Sequence, residues 1–348
     1  MRVLVTGHHG YIGSVLAPAL RSAGHDVVGL DSFYYGGCDF GEAANFEPAL
    51  HVDVRDVRPA DLEGFEAIVH LAALSNDPLG DLNQSWTYAI NRDATIALAG
   101  AAKSAGVRRF VFSSSCSMYG AANGDTELAE DAPLRPLTAY AESKASAETA
   151  LRELAGEDFA TVSMRNATVY GVSPRLRLDI VLNNLVAWAH TTGAIRLQSD
   201  GSSWRPLIHV QDVARAAIAL LDAPHEAVCG EAFNVGSRVQ NYRIRDLAEI
   251  VHGRIPRCEV TFAETAHPDP RSYRVDFSKF ESSFPDCRFE WTPERGTDEL
   301  AEAYEAVGLT LDEFEGHRYV RLRRLNGLLD AGSLDDDLRW SAPGTSEH

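Results

Sequence analysis

Three glycines spaced three residues apart, in Thr6-Gly7-His8-His9-Gly10-Tyr11-Ile12-Gly13, separate the apolar run Val3-Leu4-Val5 from an amphipathic stretch. In that stretch Ile12, Val15, Leu16, Ala19 and Leu20 keep the i, i+3, i+4, i+7, i+8 spacing of a helix with one buried stripe, and Pro18 marks a point where it can kink. A strand, a glycine turn and a helix in direct succession point to a layered α/β fold. Glycine tolerates the tight turn, lets backbone approach a ligand closely, and lets helix pack on strand. The resulting helix N-terminus offers N–H groups to an anion above the strand end, which is where a dinucleotide diphosphate binds. The spacing is GxxGxxG rather than GxGxxG. A tight turn alone would account for any one of these glycines but poorly for three in this position.

Further short apolar runs follow at Val27–Leu30, Ala67–His70, Phe110–Phe112 and Ala160–Met164, with helical patterns between them. One such pattern runs from about Asn83 to a stop signal at Gly106. The alternation predicts a Rossmann-type, doubly wound parallel sheet over residues 1–170. Beyond Tyr170-Gly171 the pattern becomes irregular, so residues 171–210 and 237–340 are expected to form a smaller mixed α/β substrate domain. Residues 211–236 should return to the first domain, with Ala232–Gly236 as one more strand, and residues 341–348 read as a flexible tail.

The chain carries 50 acidic against 32 basic residues, a formal charge of −18, which repels nucleic acid and anionic membranes but leaves room for a locally basic pocket. Five scattered cysteines, Cys38, Cys116, Cys229, Cys258 and Cys287, have neither CxxC nor Cys/His ligand spacing, so reduced thiols and no metal site are expected. With no apolar stretch of membrane-spanning length and no leader pattern before Val3, a cytoplasmic protein is expected.

Asp31 ends the second apolar run, 18 residues past Gly13, where a carboxylate can accept hydrogen bonds from both hydroxyls of an adenosine ribose and would repel a 2′-phosphate. NAD is therefore favoured over NADP. Asp53 and Val54 are candidates to flank the adenine; Leu71, Ala72 and Ala73, after the run Ala67–His70, supply small residues beneath the cofactor, and Asn91 is a polar candidate nearby. Tyr140 and Lys144 stand one helical turn apart, so a phenol and an ammonium share a face. A neighbouring cation favours the phenolate, which can take a proton from a hydroxyl as hydride leaves. Alone, this pair is equally an ordinary amphipathic helix. The run Phe110–Phe112, however, leads into Ser113-Ser114-Ser115-Cys116-Ser117-Met118-Tyr119-Gly120, about 25 residues before Tyr140, and delivers hydroxyls to the same sheet edge.

A glycine-rich start, a strand-end serine and YxxxK in that order resemble the extended short-chain dehydrogenases/reductases, in particular the NAD-dependent epimerase/dehydratase group, from residue 1 to about 300. The resemblance implies that Ser115 hydrogen-bonds the reacting oxygen, Tyr140 is the acid/base and Lys144 its activator, with Ser113 and Ser114 structural. It also implies a nucleotide-diphosphate sugar held by Asn184, Arg205, Arg271 and Tyr273, and a homodimer formed by the helices around residues 83–106 and 140–154. Related 4,6-dehydratases follow the strand-end hydroxyl with Asp then Glu, and related decarboxylases place a glutamate at the second position; here Cys116 and Ser117 stand there, which disfavours both reactions. Thr168, where the family's RxxNxYG commonly has asparagine, is a further departure. A 4-epimerase working through a transient 4-keto sugar needs only Ser115, Tyr140, Lys144 and NAD. The alternatives are a 3,5-epimerase using Cys116 as acid/base, an NAD(P)H-dependent keto-sugar reductase, and a non-catalytic dinucleotide sensor.

Overall fold

The computed structural model describes residues 1–41, 46, 48–75, 77–121, 126–256, 258–267, 269 and 271–341, with the backbone alone for 263–267. All but the first residue of the expected tail, 342–348, lies outside the described residues. Seven parallel strands form the main sheet: β1 (Arg2–Thr6), β2 (Asp26–Asp31), β3 (Ala49–His51), β4 (Ala67–His70), β5 (Arg109–Ser115), β6 (Ala160–Asn166) and β7 (Glu231–Val235), in the order β7-β6-β5-β4-β1-β2-β3. The order reverses between β1 and β4, and a ligand crevice opens at such a switch point, outside the carboxyl ends of the strands. Val3, Leu4, Val5, Ile68, Val69, Phe110, Val111 and Phe112 are fully buried, as expected of strands covered on both faces.

The helix that opens at the glycine turn, α1 (Gly13–Ser22), buries Leu16, Ala17 and Leu20 against this sheet and carries Pro18 inside it. The pattern from Asn83 to Gly106 forms a helix in three pieces, with a π-helical stretch at Tyr88–Asp93 between Gln84–Thr87 and Ala94–Ser104. Asn83 caps its start by accepting from Ser85 N–H, and Gly106 ends it at φ 82°. The wide turn sets Asn91 inward, fully buried. Helix α2 (Ala139–Leu154) is capped by Thr138, whose hydroxyl accepts from Ala141 N–H.

The second unit is built around the helices Val181–Thr192, Ile244–Arg254 and Pro293–Val307, which bury Leu182, Leu185, Leu247, Val251, Leu300 and Tyr304 in a core of their own. A three-stranded sheet (Thr168–Tyr170, Trp204–His209, Asn241–Arg243) links it to the end of β6. The expected boundary needs one correction. Residues 321–340 do not belong to this unit: Leu325 and Leu328 of helix α3 (Arg321–Asp330), with Leu334 and Leu338 beyond it, pack into the first domain's core beside Leu4, Val28, Leu30 and Val54. Leu325 and Leu328 share a helical face and Leu334 and Leu338 follow outside the helix, but no local spacing names the core that receives them, so the sequence assigned this segment to the second unit.

Candidate active site

A cavity of about 460 Å³ runs along the strand ends and is lined from both units. One end is the glycine turn. Gly7 has φ 70°, its N–H donates to Leu30 C=O at 2.8 Å, and a Cβ there would stand 2.7 Å from Ala72 N. A Cβ on Gly13 would run into the Gly7 carbonyl. Both positions therefore exclude any side chain, and Gly7, Gly10, Tyr11, Ile12 and Gly13 all line the cavity. Asp31, Asp53, Val54, Leu71, Ala72 and Ala73 line it as well. The Asp31 carboxylate accepts from His9 N–H at 3.0 Å and Phe33 N–H at 2.8 Å, which fixes it at the mouth of β2 with lone pairs to spare for ribose hydroxyls. Asp53 is more heavily engaged. It accepts from the Arg55 guanidinium at 2.7 Å and from Tyr34 Oη at 3.3 Å; burial raises its pKa, but the Arg55 bonds outweigh burial and hold it below the ordinary value.

At the other end Ser113, Ser115, Ser117, Tyr140 and Lys144 converge. Burial pushes the Tyr140 phenol up to about 12, and its hydrogen bond with Ser115 pulls in the opposite direction. Burial also lowers Lys144 to about 7. Its Nζ donates to Ser113 C=O at 2.8 Å and sits 4.6 Å from the centre of the Phe112 ring. The proximity of Tyr140 and Lys144 that spacing predicts is present, but the charge relation differs from the expectation. Low dielectric dominates both groups and holds each toward its neutral form.

Three expected site residues lie elsewhere or are otherwise occupied. Cys116 is buried behind the strand end, donates Sγ–H to Arg165 C=O at 3.0 Å, has its thiol pKa raised by burial, and does not line the cavity. Asn91 spends its carboxamide on Leu74, accepting from its N–H at 2.8 Å and donating to its C=O at 3.0 Å, so it fastens the loop after β4 from behind. Asn184 donates to Leu178 C=O at 2.8 Å, which braces the 177–180 segment, and is not part of the lining. Arg205, Arg271 and Tyr273 do line the cavity. Asp269 pairs with both arginines, at 2.9 and 2.8 Å, and Arg271 also pairs with Asp77 across the cleft.

Several lining groups went unread. Ser113, taken as structural, accepts from Asn166 Nδ2 at 3.0 Å at the cavity wall, whereas Ser114 turns inward to the buried Glu148. Ser117 shares a hydrogen bond of 2.9 Å with Ser115. Arg177 and Asp179 form a buried pair at 2.8 Å. Their signal was available as the Arg-x-Arg-x-Asp run just after Tyr170-Gly171. Among the described residues no group of three potential ligands could hold a metal ion, and no helix is long and apolar enough to cross a membrane.

Residues 3–236 match the family described as NAD dependent epimerase/dehydratase. The UDP-glucose 4-epimerase of Corynebacterium glutamicum is 32% identical over 270 residues, covering 72% of this chain and 79% of that one. Among solved structures, MoeE5 in complex with UDP-glucuronic acid and NAD superposes with a TM-score of 0.75 at 25% identity, over 88% of this chain and 99% of that one. The NAD-dependent NDP-hexosamine 5,6-dehydratase TunA gives a TM-score of 0.78 at 25% identity, over 90% and 100%. A parallel sheet reversing at a glycine turn, a serine–tyrosine–lysine edge opposite it, and a match over two thirds of the sequence lead to one conclusion: the chain belongs to the NAD-dependent epimerase/dehydratase family.

Proposed function

We propose that this protein is a cytoplasmic, homodimeric nucleotide-sugar 4-epimerase that uses NAD. The observation that carries the reading is the composition of the reaction edge: Ser115, Tyr140 and Lys144 meet in the cavity, while the two positions after Ser115 hold a buried thiol and a serine. These residues can move a proton on a sugar hydroxyl but include no carboxylic acid at the strand end to expel water. The glycine turn and Asp31 fit a dinucleotide, and Asp31 supports NAD over NADP.

When bound, NAD supplies a site that takes a hydride from the sugar and can give it back. Tyr140 accepts the proton of the carbon-4 hydroxyl as that hydride leaves, and Ser115 holds the same oxygen by hydrogen bond. Only the phenolate, its own proton given up to solvent beforehand, can accept that proton; the hydrogen bond with Ser115 favours this form, and a protonated Lys144 one turn away would favour it too. Arg205, Arg271 and Tyr273 would hold the nucleotide diphosphate while the keto-sugar turns its other face, so binding energy remote from carbon 4 keeps the intermediate from escaping. Dimerisation is assigned to the helices of residues 84–104 and α2, where Ala97 is exposed and Ala101, Ala145 and Ala150 are half-buried. Light scattering at micromolar concentration should give twice the chain mass.

A panel of nucleotide sugars incubated with the protein and followed by mass spectrometry and proton NMR tests the reaction type. A product of unchanged mass with altered ring couplings at carbon 4 is expected. Loss of water or carbon dioxide from the sugar would contradict the assignment.

A further inference from the structure

Three buried arginines, Arg175, Arg177 and Arg321, lie near the glycine turn, the last two lining the cavity, and they are not equivalent. Arg175 is paired with Asp39 at 2.6 Å and Arg177 with Asp179 at 2.8 Å. Arg321, the first residue of α3, is 3% exposed, lines the cavity and forms no ion pair among the described residues. Its guanidinium lies 4.0 Å from the centre of the Tyr35 ring, and Nη2 donates to Arg175 C=O at 2.9 Å, whereas Nη1 is buried with no hydrogen-bond partner. Burial lowers its pKa, so the surroundings do not compensate the charge. A guanidinium stays protonated in proteins, and leaving it buried and unmatched is costly unless an anion comes to it.

Its position identifies which anion. The segment that takes its hydrogen bond is tied directly to the glycine turn: Arg175 N–H donates to Ser173 Oγ at 3.2 Å, and Ser173 Oγ–H donates to Tyr11 C=O at 2.7 Å. Tyr35, against which it packs, follows Asp31 on the loop after β2 and lines the same cavity. Arg321 therefore touches both the segment tied to the glycine turn and the loop that follows Asp31, at the wall of the same cavity. We propose that Arg321, delivered by the C-terminal helix, is a ligand of the dinucleotide diphosphate, an assignment that rests on the NAD reading above. Folding of the last 20 or so described residues onto the first domain then completes the cofactor site.

The test compares ligands that differ only in phosphate. Full-length protein and the Arg321→Met and Arg321→Lys variants are titrated with NADH by fluorescence, and ADP and adenosine are then used to displace it. Loss of one charge-assisted contact should weaken NADH and ADP by roughly 10- to 100-fold in Arg321→Met and leave adenosine within about twofold, with Arg321→Lys recovering part of the ADP affinity. Without nucleotide, Arg321→Met should unfold at or above the parent's temperature, because it removes an unmatched buried charge. Unchanged NADH affinity in Arg321→Met would overturn the assignment, as would equal losses for ADP and adenosine. If Arg321→Met does not fold, the ADP-to-adenosine ratio of Arg321→Lys decides by the same criterion. Failure of the parent protein itself to bind NADH would instead remove the NAD reading beneath it.

Discussion

The two walls of the cleft hold their polar groups by different means. On the sheet side Ser115, Tyr140 and Lys144 are seated by burial and neutral hydrogen bonds on β5 and α2, and no carboxylate pairs with Lys144 among the described residues. On the opposite side Arg205 and Arg271 are held by Asp269 and Asp77, carboxylates that a substrate diphosphate would replace on the proposed reading. The first wall has a fixed geometry suited to proton and hydride transfer; the second carries charge that can be exchanged between protein and ligand partners. On the proposed reading, chemistry belongs to the rigid elements, and recognition to groups whose partners can change.

Substitutions on each wall should therefore differ in kind as well as in size. Tyr140→Phe deletes the proton acceptor but keeps the ring, so kcat should fall about 10²- to 10⁴-fold while NAD affinity stays within a few-fold. Steady-state kinetics with calorimetry on the same variant measure both, and a kcat near that of the parent would remove Tyr140 from the chemistry. Across the cleft, Arg271→Ala should raise KM by roughly 10- to 100-fold with a smaller change in kcat, because the proposed contact with the diphosphate would be the same before and during reaction. A loss confined to kcat would erase the contrast between the walls.

Lys144 offers a pH-dependent test of the buried wall. Burial lowers it to about 7 from an ordinary 10.5, so between those values the unfolded chain binds the proton that the folded chain refuses. The charged amine thus destabilises the fold below about pH 7, and this cost fades as pH rises toward 10.5. Lys144→Met lacks that slope, and its stability relative to the parent should be greatest near pH 6 and decline toward pH 10. Urea unfolding without nucleotide measures it; a pH-independent difference would mean that the amine is solvated. The smallest effect is expected for Cys116→Ser. Its thiol lies behind the wall on the Arg165 carbonyl, and turnover should stay within about threefold of the parent. A loss approaching that of Tyr140→Phe would restore the acid/base role that burial argues against.

What could be read from the residues alone divides along similar lines. The glycine turn, Asp31 and the Tyr140/Lys144 pair follow from local geometry, a tight βα turn and an i, i+4 spacing, so their neighbours are implied by sequence distance. Asn91, Asn184 and Cys116 do not line the cavity, because adjacent side chains on one strand end or helix diverge and long-range partners decide which enters it. The π-helical turn at Tyr88–Asp93 that directs Asn91 to Leu74 leaves no pattern in the apolar spacing. Arg321 is harder still. It comes from the arginine-rich run Arg321-Leu322-Arg323-Arg324, and nothing local separates the buried member from its neighbours.

The central claim is that one wall removes a hydride from carbon 4 and returns it to the opposite face while the other wall holds the nucleotide diphosphate. Epimerisation of a turned-over nucleotide sugar in deuterium oxide, read by proton NMR, tests it directly. Direct return keeps the original hydrogen on carbon 4, so the epimerised product should carry no deuterium on any ring carbon. Deuterium at carbon 3 or carbon 5 would show a carbon acid/base mechanism and contradict the account.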